Sequence, residues 1–197
     1  MLTKAELTKQ YIIEKVAPIF NNKGYIATTM ADITQATSLT KGAIYGNFQN
    51  KDELAIAAFT HNVKSMLRLV NEFQEKGNTP FEKLVLVADF YKQYYSYSIK
   101  MGGCPILNMG VSTKSQHPKM FEYVQFTVEK IISNVQKLVE EAQYKGEIKE
   151  SLDAKQIAKS IYTTFQGAIF MSHTLEDESY LVSASLKVQE LLYQIKN

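Results

Sequence analysis

Apolar positions recur every three to four residues along almost the whole chain, a helical rather than an alternating period. Ile12, Ile13, Val16, Ala17 and Phe20 share one face of the first segment. Pro18 removes a backbone bond there and predicts a bend near Glu14. Gly24, after Asn21-Asn22-Lys23, predicts the stop because it takes positive φ readily. Thr29 with Asp32 forms a capping box that opens a short helix from Met30 to about Ala36. Thr37-Ser38-Leu39 reads as a turn, and Thr40 caps a third short helix starting at Lys41. Asn50 with Glu53 opens a fourth, over about residues 51–76. Gly77-Asn78 breaks it, and Thr79-Pro80 restarts the chain in a fifth helix over residues 80–101. A short helix follows Pro105, a seventh runs from Pro118 to near Gly146, and an eighth from Asp153 to about His173. The ninth, residues 177–195, carries Leu181, Ala184, Val188, Leu191, Leu192 and Ile195 on one stripe. The expected architecture is all-α with about nine helices. Residues 1–50 form a small three-helix domain and residues 51–197 a larger helical one.

The stretch LTKGAIYGNF, residues 39–48, sets the functional question. Ile44 and Phe48, four apart, form its buried face, which leaves Lys41, Gly42, Tyr45 and Asn47 on the other side. Two short helices joined by a tight turn, the second with small and polar residues outward, make a helix-turn-helix. Its second helix suits the major groove of B-DNA, with the N-terminal residues nearest the base edges. A β-carbon at position 42 would hold the backbone off the duplex, so Gly42 permits close approach. Thr40 and the free N–H groups behind it can meet a phosphate. Tyr45 offers a hydroxyl to a phosphate and a ring to a thymine methyl. Lys51 opposes the dipole of the helix it begins, a conflict that a bound phosphate would relieve.

These residues resemble the DNA-binding domain of tetracycline-repressor (TetR) family regulators. The resemblance is carried by Gly24-Tyr25, Thr28-Thr29, Ile33, Thr40-Lys41-Gly42-Ala43-Ile44-Tyr45, Phe48 and Lys51-Asp52-Glu53-Leu54, without a gap over roughly residues 8–55. It implies a homodimer on a palindromic operator, a small-molecule inducer pocket in the C-terminal domain, and dimerisation through the last two helices. It places Thr29, Thr40, Tyr45, Asn47 and Lys51 on phosphates, with Thr28 beside them, and Lys41, Gly42 and Ala43 towards the bases. Three positions depart from the family pattern: Ser38 where glycine is usual, Thr34 where alanine is usual, and Asn47 where histidine is frequent.

Charge and composition sharpen this in three ways. Residues 1–51 hold six lysines against Glu6, Glu14 and Asp32, whereas the rest of the chain is slightly acidic; the excess alone fits a solvated surface as well as a DNA footprint. Arg68 is the only arginine and lies outside the motif, so bidentate arginine reading of guanine is closed to this helix-turn-helix. The expected reading is by Lys41, backbone approach at Gly42 and Ala43, methyl contacts and DNA shape. The longest apolar runs fall far short of a bilayer span, and MLTKAELTKQ has no signal-peptide core. The single Cys104 excludes an intrachain disulfide and fits a cytoplasmic protein.

The C-terminal domain is richer in aromatic and methionine side chains. Tyr91, Tyr94, Tyr95, Cys104, His117, Phe121, Tyr162, Phe165 and Met171 are candidates to line a pocket for an apolar or aromatic inducer. Each taken singly also reads as ordinary core, and His117 as a capping or surface histidine. The expected dimer surface is Ile157, Ile161, Thr164 and Ala168 of the eighth helix with Leu181, Val188, Leu192 and Ile195 of the ninth, Gly167 allowing close approach. Cys104 has three readings: a small buried hydrophobe, an electrophile or redox sensor at a helix start, or a nucleophile with His117 or His173, for which no local signature exists. No metal-ligand spacing, Walker-type loop or catalytic constellation is present, so neither a cofactor nor an enzymatic activity is expected. The rival from another class is a helical ligand-binding or cysteine-based enzyme.

Overall fold

The computed structural model describes residues 3–115 and 117–197. The regular secondary structure of the described residues is helical apart from one isolated bridge between Ile148 and Lys196. The helices are α1 Lys4–Ala27, α2 Met30–Thr37, α3 Lys41–Tyr45, α4 Lys51–Gln74, α5 Pro80–Phe90, α6 Tyr94–Lys100, α7 Pro105–Thr113, α8 Pro118–Tyr144, α9 Ala154–Leu175 and α10 Ser179–Ile195. A 3-10 turn, Tyr91–Gln93, joins α5 to α6. With those three counted as one, the described residues hold the nine helices that the periodicity predicts.

The punctuation falls where the side chains dictate. Gly24 interrupts α1 at φ 76, ψ 171. Thr3 with Glu6 and Thr29 with Asp32 form complete capping boxes. Thr79 accepts from the Glu82 N–H ahead of Pro80, and Asp153 accepts from the N–H groups of Lys155 and Gln156. Such caps are each worth about 1 kcal/mol, which matters most for α2 and α3, too short to stand alone.

Packing divides the chain into two compact units, Met1–Ser65 with Ile99–Gln125, and Met66–Ser98 with Phe126–Asn197. The division lies within α4, α6 and α8 rather than at residue 50. The first unit is built around Ile12, Val16, Phe20, Ile33, Ile44, Phe48, Leu54 and Phe59, all at most 2% exposed. Its loop at Gly102-Gly103, both with positive φ, is pinned to α1: the Asn21 amide donates to the carbonyls of Met101 and Gly103 at 2.6 and 2.8 Å, and Asn108 returns a bond to the Asn21 carbonyl.

In the second unit α10 packs on α9 and α5. Tyr91 stacks on Phe165 with centroids 3.7 Å apart and planes 9° from parallel, and Phe90 meets Phe73 edge-on. This core takes most of the expected dimer stripe. Ile157, Ile161, Ala168, Leu181, Val188 and Leu192 are buried within the single chain, Thr164 and Ile195 are half-buried, and only Gly167 is exposed. The cause is simple: α9 and α10 first cover each other, and α10 covers α5 as well, so their largest apolar stripes serve those contacts.

Candidate nucleic-acid interface

The turn between α2 and α3 needs one residue in the left-handed region, and Ser38 takes it, at φ 56, ψ 26. That conformation costs a residue with a β-carbon about 1 kcal/mol or more relative to glycine. Ser38→Gly is therefore expected to raise stability by about 0.5–1 kcal/mol, a rise of about 2 °C in Tm by calorimetry, once the greater freedom of glycine in the unfolded chain is subtracted. Thr34, the second departure, is accommodated by bonding its hydroxyl to the carbonyls of Met30 and Ala31, both at 3.0 Å. The Tyr11 hydroxyl adds a tie from α1, donating to the Thr37 carbonyl at 3.1 Å, a contact that sequence spacing does not reveal.

With the turn fixed, α3 presents one face each way. The Ala43 N–H donates to the Thr40 hydroxyl at 3.2 Å, while Ile44 and Phe48 are buried. Lys41, Gly42, Ala43 and Tyr45 are exposed, Tyr45 at 46%. A β-carbon at Gly42 would meet only the Thr40 hydroxyl, at 3.9 Å, and the φ there is ordinary for a helix. The chain's own packing gives no reason for glycine at this position.

Thr29 is exposed at its cap, but Thr28 is not a surface residue: it is fully buried and its hydroxyl donates to the Gly24 carbonyl at 2.7 Å. Asn47 is half-buried, with its amide spent on the Ala43 carbonyl at 2.9 Å, so it closes α3 and keeps only part of its hydrogen-bonding capacity for another molecule. Lys51 is half-buried with its ammonium 4.5 Å from the centroid of the Tyr25 ring. Burial lowers the Lys51 pKa, against the pull of Asp52 and Asp32. Lys23 pairs with Asp32 at 2.7 Å, and that bond, then those from Thr29, hold the carboxyl at about 2.

Behind Lys51 the Tyr25 hydroxyl donates to Asp52, and His117 Nε2 lies 3.1 Å from the same carboxylate oxygen. The Tyr25 bond, with a smaller contribution from His117, lowers the Asp52 pKa despite partial burial, whereas burial and then Asp52 raise that of Tyr25. His117 also caps α8, its Nδ1 accepting from the Met120 N–H at 3.1 Å. Of the capping and surface readings it is the cap, and its ring is committed within the first unit.

The other expected ligand residues do not gather in one place. Cys104 and Phe121 also belong to the first unit, and Tyr91, Tyr94, Tyr95, Tyr162, Phe165 and Met171 to the second. Cys104 is 1% exposed, as the buried-hydrophobe reading expects, and in this conformation solvent reagents do not reach its sulfur. His173 touches the buried Ser98 hydroxyl at 2.9 Å, and burial lowers its pKa. The second unit holds a cleft of about 440 Å³ between α4, α5 and α8, and of the nine candidates only Tyr91 lines it. Leu67, Val70, Leu84, Val87, Ile131, Val135 and Leu138 make its apolar walls; Asn71, Gln74, Asn134, Lys83, Lys137 and Glu141 supply polar groups. On helices those polar positions read as solvated surface, so sequence periodicity gives no sign of them.

Among the described residues no group of histidine, cysteine and carboxylate side chains is placed to hold a metal ion, and no helix is long and apolar enough to cross a membrane.

Two family models match the chain: bacterial regulatory proteins of the tetR family over residues 12–58, and the tetracyclin repressor-like C-terminal domain over residues 80–186. The crystal structure of a TetR-family transcriptional regulator from Cytophaga hutchinsonii is 30% identical, with a TM-score of 0.90 over 100% of this chain and 98% of that one. A TetR transcriptional regulator from Chloroflexus aurantiacus J-10-FL is 27% identical, with a TM-score of 0.91 over 99% and 98%. The HTH-type transcriptional repressor DhaR of a Mycobacterium species (strain GP1) is 23% identical over 164 residues, 82% of this chain and 80% of that protein.

Proposed function

Because the chain belongs to the TetR family of helix-turn-helix transcriptional regulators, which are not enzymes, we propose that it is a ligand-responsive repressor that binds a palindromic operator as a homodimer and is released by a small-molecule inducer. The observation that carries the DNA-binding half is Gly42. An exposed helical glycine with open space around it is disfavoured by helix propensity and unexplained by its own fold; a DNA backbone or base edge within contact of position 42 supplies the missing reason and offsets the cost. Thr29, Thr40, Tyr45 and Lys51 border it as phosphate contacts, with Lys41 and Ala43 beside it over the bases. Two such heads on a dimer meet successive major grooves roughly 34–36 Å apart, or somewhat further. The protein works where the chromosome is, in the cytoplasm.

The inducer site that the geometry supports is the α4–α5–α8 cleft rather than the aromatic set around Tyr94 and Tyr162. Its apolar walls suit an apolar or aromatic body, and Asn71, Gln74 and Asn134 supply hydrogen bonds that orient one end. Since α4 begins at the DNA-binding head and its later turns line the cleft, ligand that favours one setting of α4 shifts the population of DNA-competent dimers.

The test is a mobility shift on DNA from the region upstream of its own gene, across a salt series. Preference for that fragment over unrelated DNA is expected to survive at about 200 mM salt, where non-specific binding has fallen steeply. Equal binding to both fragments at every salt concentration overturns the reading.

A further inference from the structure

Four side chains from three helices meet at the start of α4: Tyr25 of α1, Lys51 and Asp52 of α4, and His117 at the head of α8. His117 Nδ1 accepts the Met120 N–H, which leaves Nε2 as the nitrogen that donates to Asp52. Asp52 takes the Tyr25 hydroxyl as its second donor. The His117 ring also packs against the Tyr25 ring, centroids 4.3 Å apart and planes at 63°. Tyr25 is therefore gripped at its hydroxyl and along its ring, and it is this ring over which the Lys51 ammonium lies.

We propose that His117 is a positioning residue for DNA binding: it fixes Tyr25 as a shelf that holds the Lys51 ammonium ready for an operator phosphate. The proposal rests on the reading of this chain as an operator-binding regulator. Its physical basis is the conflict at Lys51. An ammonium in the first turn of a helix is repelled by the N-terminal end of the dipole, and a free lysine side chain samples many rotamers. Left alone, it would swing away from the helix start and would have to be ordered on binding. The π face of Tyr25 attracts the ammonium and confines it beside the helix start, so less freedom is lost when a phosphate arrives. The imidazole accepts from the α8 backbone at one nitrogen and donates to Asp52 from the other, so one ring ties α8 to the start of α4.

The experiment is a double-mutant cycle on operator DNA, read by fluorescence anisotropy across a salt series, with thermal melts as a check on folding. Lys51→Met is expected to weaken binding about tenfold and to reduce the salt slope by about one. His117→Ala is expected to weaken binding about threefold to fivefold in the native background and to have no further effect in the Lys51→Met background. A purely structural role would give the same loss in both. Should His117→Ala not fold, Tyr25→Leu replaces it in the cycle and is expected to show the same non-additivity. Additive losses, or a folded His117→Ala variant with native affinity, overturn this proposal while leaving operator binding in place. Absence of operator preference in the native protein overturns the underlying reading and this proposal with it.

Discussion

Replacing Gly42 by leucine is expected to cost operator binding about a hundredfold while leaving the fold intact, and Gly42→Ala about tenfold with an equal or higher melting temperature. The two effects have separate origins. Within the chain, a β-carbon at position 42 meets nothing closer than 3.9 Å, so no native contact is disturbed. Alanine in a helix is favoured over glycine by about 0.5–1 kcal/mol, which for a chain of this length raises Tm by about 1–3 °C. In the proposed complex the same carbon would occupy the space through which the helix approaches, and overpacking an interface costs about 1–3 kcal/mol per site, about one to two decades in Kd. Anisotropy titrations at fixed salt beside thermal melts separate the two. Native affinity in Gly42→Leu, or a binding loss matched by lost stability, would show that the glycine does not face the duplex.

The head of the molecule was largely legible in the sequence because its determinants are local. Capping boxes, the Ile44–Phe48 pair and the outward set around Gly42 lie within a few residues of one another, and spacing alone assigns their faces. Even the irregular turn at Ser38 follows from the need to turn the chain sharply between two capped helices. Where the reading went astray, one helical step or one long-range contact was responsible. Thr28 and Thr29 are adjacent, yet one is the buried end of α1 and the other the exposed cap of α2. The period and the resemblance put Asn47 on the outward side of α3, but neither shows that its amide also bonds the Ala43 carbonyl four residues back. The Tyr25–Asp52–His117 cluster joins residues up to 92 apart in the chain, and no local rule can bring them together.

The second unit was legible as helices and not as surfaces. An aromatic or methionine residue is as good a core residue as a ligand contact, and Tyr94 and Phe165 proved to be core. The cleft is instead bordered by amides and lysines that belong to the polar faces of α4, α5 and α8. Whether a polar face meets solvent or a cavity depends on the angle between helices, which periodicity does not contain.

A pair of charges, Phe170→Glu with Leu186→Glu, is expected to leave a folded monomer whose operator affinity falls by about a thousandfold. α9 exposes Thr163, Gly167, Phe170 and Thr174 at helical spacing, on the face left over once the buried set is removed. α10 does the same with Val182, Leu186 and Tyr193, and Phe170 and Leu186 are 51% and 54% exposed in the single chain. A β-carbon at Gly167 would meet nothing within 4 Å, so this face, like that at Gly42, has room for another molecule to approach. An exposed face of small and apolar side chains on two long helices is what a second copy would cover, and it replaces the buried stripe as the proposed dimer surface. Carboxylates at these positions stay hydrated in the monomer, so stability changes little. In a two-fold dimer four of them would lose water together, at several kcal/mol per unpaired ion, more than a standard interface can absorb. A monomer then holds a single half-site and forfeits the effective concentration, about millimolar, that tethers the second head. Sedimentation at micromolar concentration and anisotropy on the same operator give both readouts. A double variant that remains a dimer would move the interface elsewhere, and a monomeric native protein would remove the two-headed model altogether.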